Sequence, residues 1–346
     1  MNFINQTGIN NVDICCGLSW GDEAKGKLVS SLASSGKYDF VCRWAGGNNA
    51  GHTIYINEKK YKTHLIPSGV FHNIKSIIGP DCVIHPPSFF AELEYLRENG
   101  FDTKCVKVSP KAHVVQHFHI SEDKEKYKEQ GTTSNGIAPC YGDKFARKGI
   151  RAGDCPDLVD YLWDEKLYGN ILCEGAQGFW LDINYGNYPY ITSSTTLPYG
   201  ACSLGFSPKK IRNIYGASKI YDTRSGTDPL FPDSLLKDTH FESIGKAGEE
   251  YGTTTGRKRK VKWLNLDKLV EAINYSGTTD IIISKVDILK IVNKYEIIFK
   301  NKNVKFTDID EMKLFITINL KELCLDLNKI YFSCDKEIVE GFKIEY

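Results

Sequence analysis

The chain has 346 residues, of which 41% are hydrophobic and 25% charged, with a formal net charge of +1. That length holds one large domain or two small ones, and the composition is that of an ordinary globular protein. The near-neutral balance gives no bulk field for a polyanion, and no run of 18 apolar residues occurs, so neither a nucleic-acid binder nor a helical membrane protein is expected.

In chain order, the polar stretch Met1 to Asn11 lacks the basic start and apolar run of a signal peptide. Val12 to Cys16 reads as a short buried strand, Gly17 to Gly26 as a glycine-bearing loop, and Lys27 to Leu32 as the start of a helix. Strand, loop, helix is the order of phosphate-binding units. Asp39 to Trp44 reads as a second strand. Thr53 to Ile56 and Tyr61 to Leu65 read as a hairpin around Asn57-Glu58-Lys59-Lys60. Phe89, Leu93 and Leu96, with Gly100 beyond, give an amphipathic helix with a glycine stop. Leu158, Tyr161 and Leu162 suggest another helix. Leu266, Leu269, Val270 and Ile273 form a third stripe, which leads into a strand at Asp280 to Ser284. Ile330 to Phe332 reads as a last strand. Helices alternate with strands, so the expected fold is α/β with a mostly parallel central sheet, in one contiguous domain over residues 1–346 with helical and loop excursions. The 11 cysteines form no Cys-x-x-Cys pair and read as reduced, mostly buried thiols of a cytoplasmic protein, with no zinc cluster.

Several segments carry chemistry. Gly21-x-x-x-x-Gly26-Lys27 fits the first seven positions of a P-loop, but Leu28 stands where a hydroxyl would bind magnesium. Asp22 offers a carboxylate in its place. By itself the pattern is equally an incidental glycine loop. Arg43 to Thr53 contains two adjacent glycines, two adjacent asparagines and His52, the one group there able to exchange a proton near pH 7. A loop with a satisfied histidine explains that segment as well. Gly131 to Gly136 and Thr192 to Thr196 are rich in hydroxyls. Glu174-Gly-Ala-Gln177-Gly follows a short apolar strand, where functional side chains often sit. Gly252-Thr253-Thr254-Thr255-Gly256 precedes four consecutive cations, Arg257 to Lys260. That run reads as a solvated basic face, a localisation patch or a loop wrapping a small anion, which arginine can hold in a bidentate fork. Lys285-x-Asp287 at a strand end can read guanine, since the carboxylate accepts from the ring N–H and the 2-amino group. The tripeptide is common by chance.

Together and in this order, these segments resemble the adenylosuccinate synthetase family. The resemblance rests on Trp20 to Lys27, Gly46 to Thr53, Gly131 to Thr133, Gly136 to Tyr141, Glu174 to Gly178, Tyr188 to Ser194, Thr254 to Arg259 and Lys285 to Asp287, with a weaker echo at Ser333. It implies GTP-dependent ligation of L-aspartate to C6 of IMP through a 6-phosphoryl intermediate. Asp22 is then the base at N1 and a Mg²⁺ ligand, with the Gly51 carbonyl as a second ligand. His52 is the general acid, and Gln177 orients the base and purine. The substrate nucleotide falls to Asp22, Lys25, Asn49, Thr133, Arg147, Gln177, Thr192 and Arg257. Aspartate falls to Thr253, Thr254, Thr255, Arg257 and Arg259. GTP falls to Gly21, Glu23, Lys25, Gly26, Lys27, Gly51, Thr53, Arg259, Lys285, Asp287 and Ser333. Arg147 is expected to reach the site of a second subunit, which implies a homodimer.

There are departures from the family pattern. Residues 154–171 and the part after Leu289 are shortened, Thr223 to Asp228 differs from the usual Thr-Arg-Val-Gly-x-Gly, and Leu197-Pro198-Tyr199 replaces small residues. Short chains also occur among archaeal members and among phage enzymes that act on dGMP. The same chemistry on dGMP, with ATP or dATP as donor, is therefore the alternative. In those enzymes a small residue is expected in place of the catalytic aspartate, so the retained Asp22 favours IMP.

Overall fold

The structure is a computed structural model and describes residues 8–252 and 256–334. Strand β1 (Ile9–Gly17) runs through a loop into α1 (Lys25–Ala33). Next come β2 (Phe40–Gly46), the hairpin β3 (His52–Ile56) and β4 (Lys59–Thr63), β5 (Lys75–Ile84) and α2 (Pro86–Glu98). The short strands β6 (Val106–Val108) and β7 (His113–Val114) precede α3 (His117–Lys126) and α4 (Ile137–Phe145). Strands β8 (Gly169–Glu174), β9 (Ile211–Lys219) and β10 (Tyr221–Arg224) lead to α5 (Thr239–Ala247), β11 (Lys260–Asn265), α6 (Leu266–Ser276), β12 (Asp280–Ser284) and α7 (Val286–Val292). The described chain closes with β13 (Glu296–Phe299), β14 (Lys302–Lys305), α8 (Ile309–Leu323) and β15 (Lys329–Phe332).

Nine of these strands form the main sheet, in the order β15-β12-β9-β1-β8-β2-β5-β6, with β7 also paired to β5. All its pairings are parallel. A parallel sheet is covered on both faces, and the side chains show it. Val12, Ile14 and Cys16 of β1 enter one core with Phe40, Cys42, Ile171, Cys173, Ile281 and Ile283. The alternate residues Cys15, Val41, Leu172 and Ile282 pack with Leu28, Val29 and Leu32 of α1 in another. The two-residue period of a strand puts these sets on opposite faces. A second sheet, β10-β11-β13-β14, stands apart.

The expected α/β architecture with a mostly parallel sheet is what forms. The cysteines are free, seven of the 11 buried, and no described helix is long and apolar enough to cross a membrane. Two local expectations need correction. The hairpin turn is only Asn57-Glu58, because both residues adopt positive φ (50° and 66°) and close a tight two-residue loop, leaving Lys59 and Lys60 in β4. Leu158 and Tyr161 lie in a short 3₁₀ turn, Pro156–Tyr161, not an amphipathic helix. Spacing of three matches that tighter coil as well as an α-helical face.

Candidate active site

The carboxyl ends of β1, β2, β8 and β12 feed loops into one cleft of about 720 Å³. Ligands in open α/β sheets bind outside these ends. From the β1–α1 loop and the start of α1 come Gly21 to Lys27, and from the turn after β2 and the start of β3 come Asn49, Gly51, His52 and Thr53. Thr133, Gln177 and Thr192 line it, as do Arg257 and Arg259 before β11 and Lys285 and Asp287 after β12.

The loop before α1 is wound by left-handed residues: Gly21, Asp22 and Ala24 have φ of 89°, 63° and 67°. Such turns aim successive N–H groups into a concavity, and here they lead to a helix N-terminus. Glu23, fully buried, braces the loop from inside. Its Oε1 accepts from Ser19 N (3.1 Å) and Gly21 N (2.8 Å), and its Oε2 pairs with Lys25 Nζ at 2.5 Å. Lys27 Nζ donates to Ser333 Oγ at 2.7 Å, which ties the loop to the end of β15. Ser333 itself lies behind the wall, while its neighbour Cys334 lines the cleft.

Asp22 Oδ2 pairs with Arg259 Nε at 2.8 Å and accepts from Ser225 Oγ at 3.0 Å. Burial acts to raise its pKa, but Arg259, Lys219 and Ser225 outweigh it, so the carboxyl is held below its ordinary range. Arg259 is fixed from its other side by Glu250 (2.6 Å), which also takes Lys219 Nζ (3.1 Å) and the Tyr221 hydroxyl (2.7 Å). Burial works against ionisation of Glu250, yet Lys219, Arg259 and Lys285 bring its pKa down to about 2.

His52 is 5% exposed and its Nδ1 meets Glu174 Oε1. Burial lowers the ring's pKa; Glu174 opposes this, and Arg43 and Lys25 reinforce it. Nε2 of His52 and both amide atoms of Gln177 are buried without a partner among the described residues. Buried polar atoms are rarely left so, and on a cleft wall they mark where ligand groups belong.

A hard divalent cation needs oxygen donors. Among the described residues no group of three or more His, Cys, Asp or Glu forms a cage. Asp22 and Gly51 both line the cleft, and Mg²⁺ is commonly held by one or two carboxylates plus substrate phosphates.

Of the residues singled out in the sequence, Arg147 stands apart from this cleft. It is exposed, just past α4, with φ of 61°. Thr253, Thr254 and Thr255 lie outside the described residues. Ser225, Glu250 and Lys219 were not legible as site residues. Ser225 shows only as a departure from a motif; Lys219 ends β9 and Glu250 lies between α5 and β11, and only the tertiary fold joins them. Glu174 stood inside a quoted motif, but nothing in the sequence joined it to His52.

A left-handed loop leading into a helix N-terminus, a basic arm, and a carboxylate, a histidine and an amide all meet in one cleft of an α/β sheet. The family pattern for adenylosuccinate synthetase matches residues 14–168 and 157–314. The chain is 38% identical over 340 residues to an adenylosuccinate synthetase of Thermodesulfovibrio yellowstonii, covering 82% of this chain and 79% of that one. It is 34% identical to one from Clostridium kluyveri, covering 94% and 88%. The fully ligated adenylosuccinate synthetase of Plasmodium falciparum superposes with a TM-score of 0.79 at 26% identity, covering 94% of this chain and 98% of that one. A cyanophage S-2L succinoaminodeoxyadenylate synthetase, bound to dGMP and dATP, shares the fold with a TM-score of 0.66 at 19% identity, covering 90% and 99%. The chain belongs to the adenylosuccinate synthetase family, GTP-binding ligases of purine biosynthesis.

Proposed function

We propose that this enzyme joins L-aspartate to C6 of IMP, giving adenylosuccinate, with GTP cleaved to GDP and phosphate. The observation that carries this reading is the meeting of Asp22, the unpartnered Nε2 of His52 and the unpartnered Gln177 amide in one cleft. An oxygen on a purine C6 is a poor leaving group until it is phosphorylated. Asp22, ionised at neutral pH, takes the N1 proton while the 6-oxygen attacks the γ-phosphorus and GDP departs. His52 stabilises the charge that gathers on the phosphoryl group or the 6-oxygen, and Lys25 holds the γ-phosphate. The aspartate amine then attacks C6 and phosphate leaves with the former 6-oxygen. Gln177 orients the purine and the base.

Asn49, Thr133, Thr192 and Arg147 of a second copy hold the 5′-phosphate, so the working unit is a homodimer. Thr253 to Thr255, Arg257 and Arg259 take the aspartate carboxylates. Lys285 and Asp287 read guanine, while Gly21, Glu23, Gly26, Lys27, Thr53 and Ser333 shape the donor pocket. Mg²⁺ on Asp22 and Gly51 would neutralise charge on the transferring phosphoryl group. The test is phosphate release with aspartate and GTP, run in parallel on IMP and dGMP. Turnover on IMP is expected; turnover on dGMP alone would replace this substrate with a 2-amino purine. His52→Asn is expected to abolish turnover and leave nucleotide binding intact.

A further inference from the structure

The buried groups behind His52 are more elaborate than a packed histidine requires. Glu174, the last residue of β8, has no exposed surface. Its Oε1 meets His52 Nδ1 and accepts from Ser68 Oγ at 3.1 Å, and its Oε2 accepts from Ser68 N at 2.6 Å. Arg43 of β2 lies 3.8 Å from Oε1, also fully buried. Two strands of the main sheet and the turn after the β3–β4 hairpin thus fix one carboxylate, and that carboxylate fixes one edge of the imidazole. The other edge, Nε2, is buried and has no partner among the described residues, and His52 lines the cleft.

We propose that Glu174 is a positioning residue for phosphoryl transfer: it locks the His52 ring through Nδ1, so that Nε2 is held in place for the transferring group. This rests on the reading of His52 given above. With Nδ1 held by Glu174, and Glu174 held by Ser68 and Arg43, the ring has one orientation open to it and its free edge is Nε2. A carboxylate behind the imidazole thus sets both tautomer and orientation.

The experiment compares the full-length enzyme with Glu174→Gln and Glu174→Asp, using the IMP, GTP and aspartate assay. Both variants are expected to lose about 10- to 100-fold in kcat, part of what a general acid contributes. KM for IMP and GTP should stay within about threefold, because the lost interaction acts in the transition state. ¹⁵N shifts of histidine-labelled wild-type enzyme should show His52 protonated at Nδ1, a readout that needs no variant to fold. Wild-type kcat in a folded Glu174→Gln enzyme, a fall in kcat matched by an equal rise in both KM values, or an unprotonated Nδ1 in the wild type would each overturn the proposal. If His52→Asn itself keeps full turnover, the reading of His52 fails. If only the Glu174 variants keep it, that reading stands and this inference falls.

Discussion

Asp22 shows how much of a residue's work depends on partners far away in sequence. Its place in the loop and its left-handed backbone are local, and the motif around it was readable. Its ionisation is not local, since Arg259 and Ser225 meet it from more than 200 residues away. Ser225 lowers the pKa of Asp22 by donating to the charged form. Ser225→Val removes that donor, so the pKa should rise. A base must be unprotonated to act, so the acid limb of kcat/KM for IMP should move to higher pH. A pH profile of the two enzymes checks this, and an unmoved or lowered limb would contradict it. Glu250 is the counterpart on the basic arm. Replacing it with Gln leaves Lys219 without its carboxylate in a buried site and Arg259 with Asp22 alone, and breaking a buried ion pair costs about 3–5 kcal/mol. Urea unfolding should show a loss of that order at pH 7. Because the carboxyl's pKa is depressed to about 2, its contribution is present above the unfolded value and fades as pH falls toward 2.

Elements transmit these contacts. Helix α1 packs so closely on the hairpin that a Cβ on Gly26 would sit 2.8 Å from His52 Cβ. Gly26→Ala should therefore displace the histidine even though alanine favours a helix. Misplacing a catalytic group by about 1 Å can cost about 100-fold, so kcat should fall steeply, and the overpacking should also cost about 1–3 kcal/mol of stability. In the second sheet, Asp222 of β10 accepts from Asn265 N at 2.9 Å. Burial pushes its pKa up to about 7. Here the sign is reversed: the folded state binds the proton more tightly, so stability falls as pH rises from about 4 to 7. Asp222→Asn should be more stable than wild type at pH 8, by roughly 2–4 kcal/mol, with the gap closing near pH 4. Denaturant midpoints at the two pH values decide it. The strands with long apolar runs, β1, β2 and β12, were legible because burial on both faces leaves few polar residues. β9 was not: Ile211 to Lys219 mixes Arg, Asn, Gly and Lys with its apolar residues. Its polar groups find partners across the sheet, as when Arg212 pairs with Asp13 of β1, and no periodicity announces that.

For the whole molecule, the sequence made the fold class and the list of cleft residues legible, because glycine loops, strand ends and charged tripeptides are local signals. The order of strands was not legible, nor was the convergence of β8 with the hairpin that makes Glu174 and His52 partners. Arg147 raises a question at this scale, because it lies outside the cleft of its own chain. If it serves a second copy, two inactive variants should rescue each other. Mixing Arg147→Leu with Asp22→Asn protomers should restore about a quarter of wild-type activity, since half the dimers are mixed and one of their two sites is complete. No recovery on mixing would remove Arg147 from the shared site.

The central claim is that the 6-oxygen of the purine is phosphorylated and then displaced by aspartate. The most direct measurement uses IMP labelled with ¹⁸O at the 6-position, with GTP and aspartate, and mass analysis of the phosphate released. Each phosphate is expected to carry the label, with adenylosuccinate formed in equal amount. Product formation with unlabelled phosphate would contradict it.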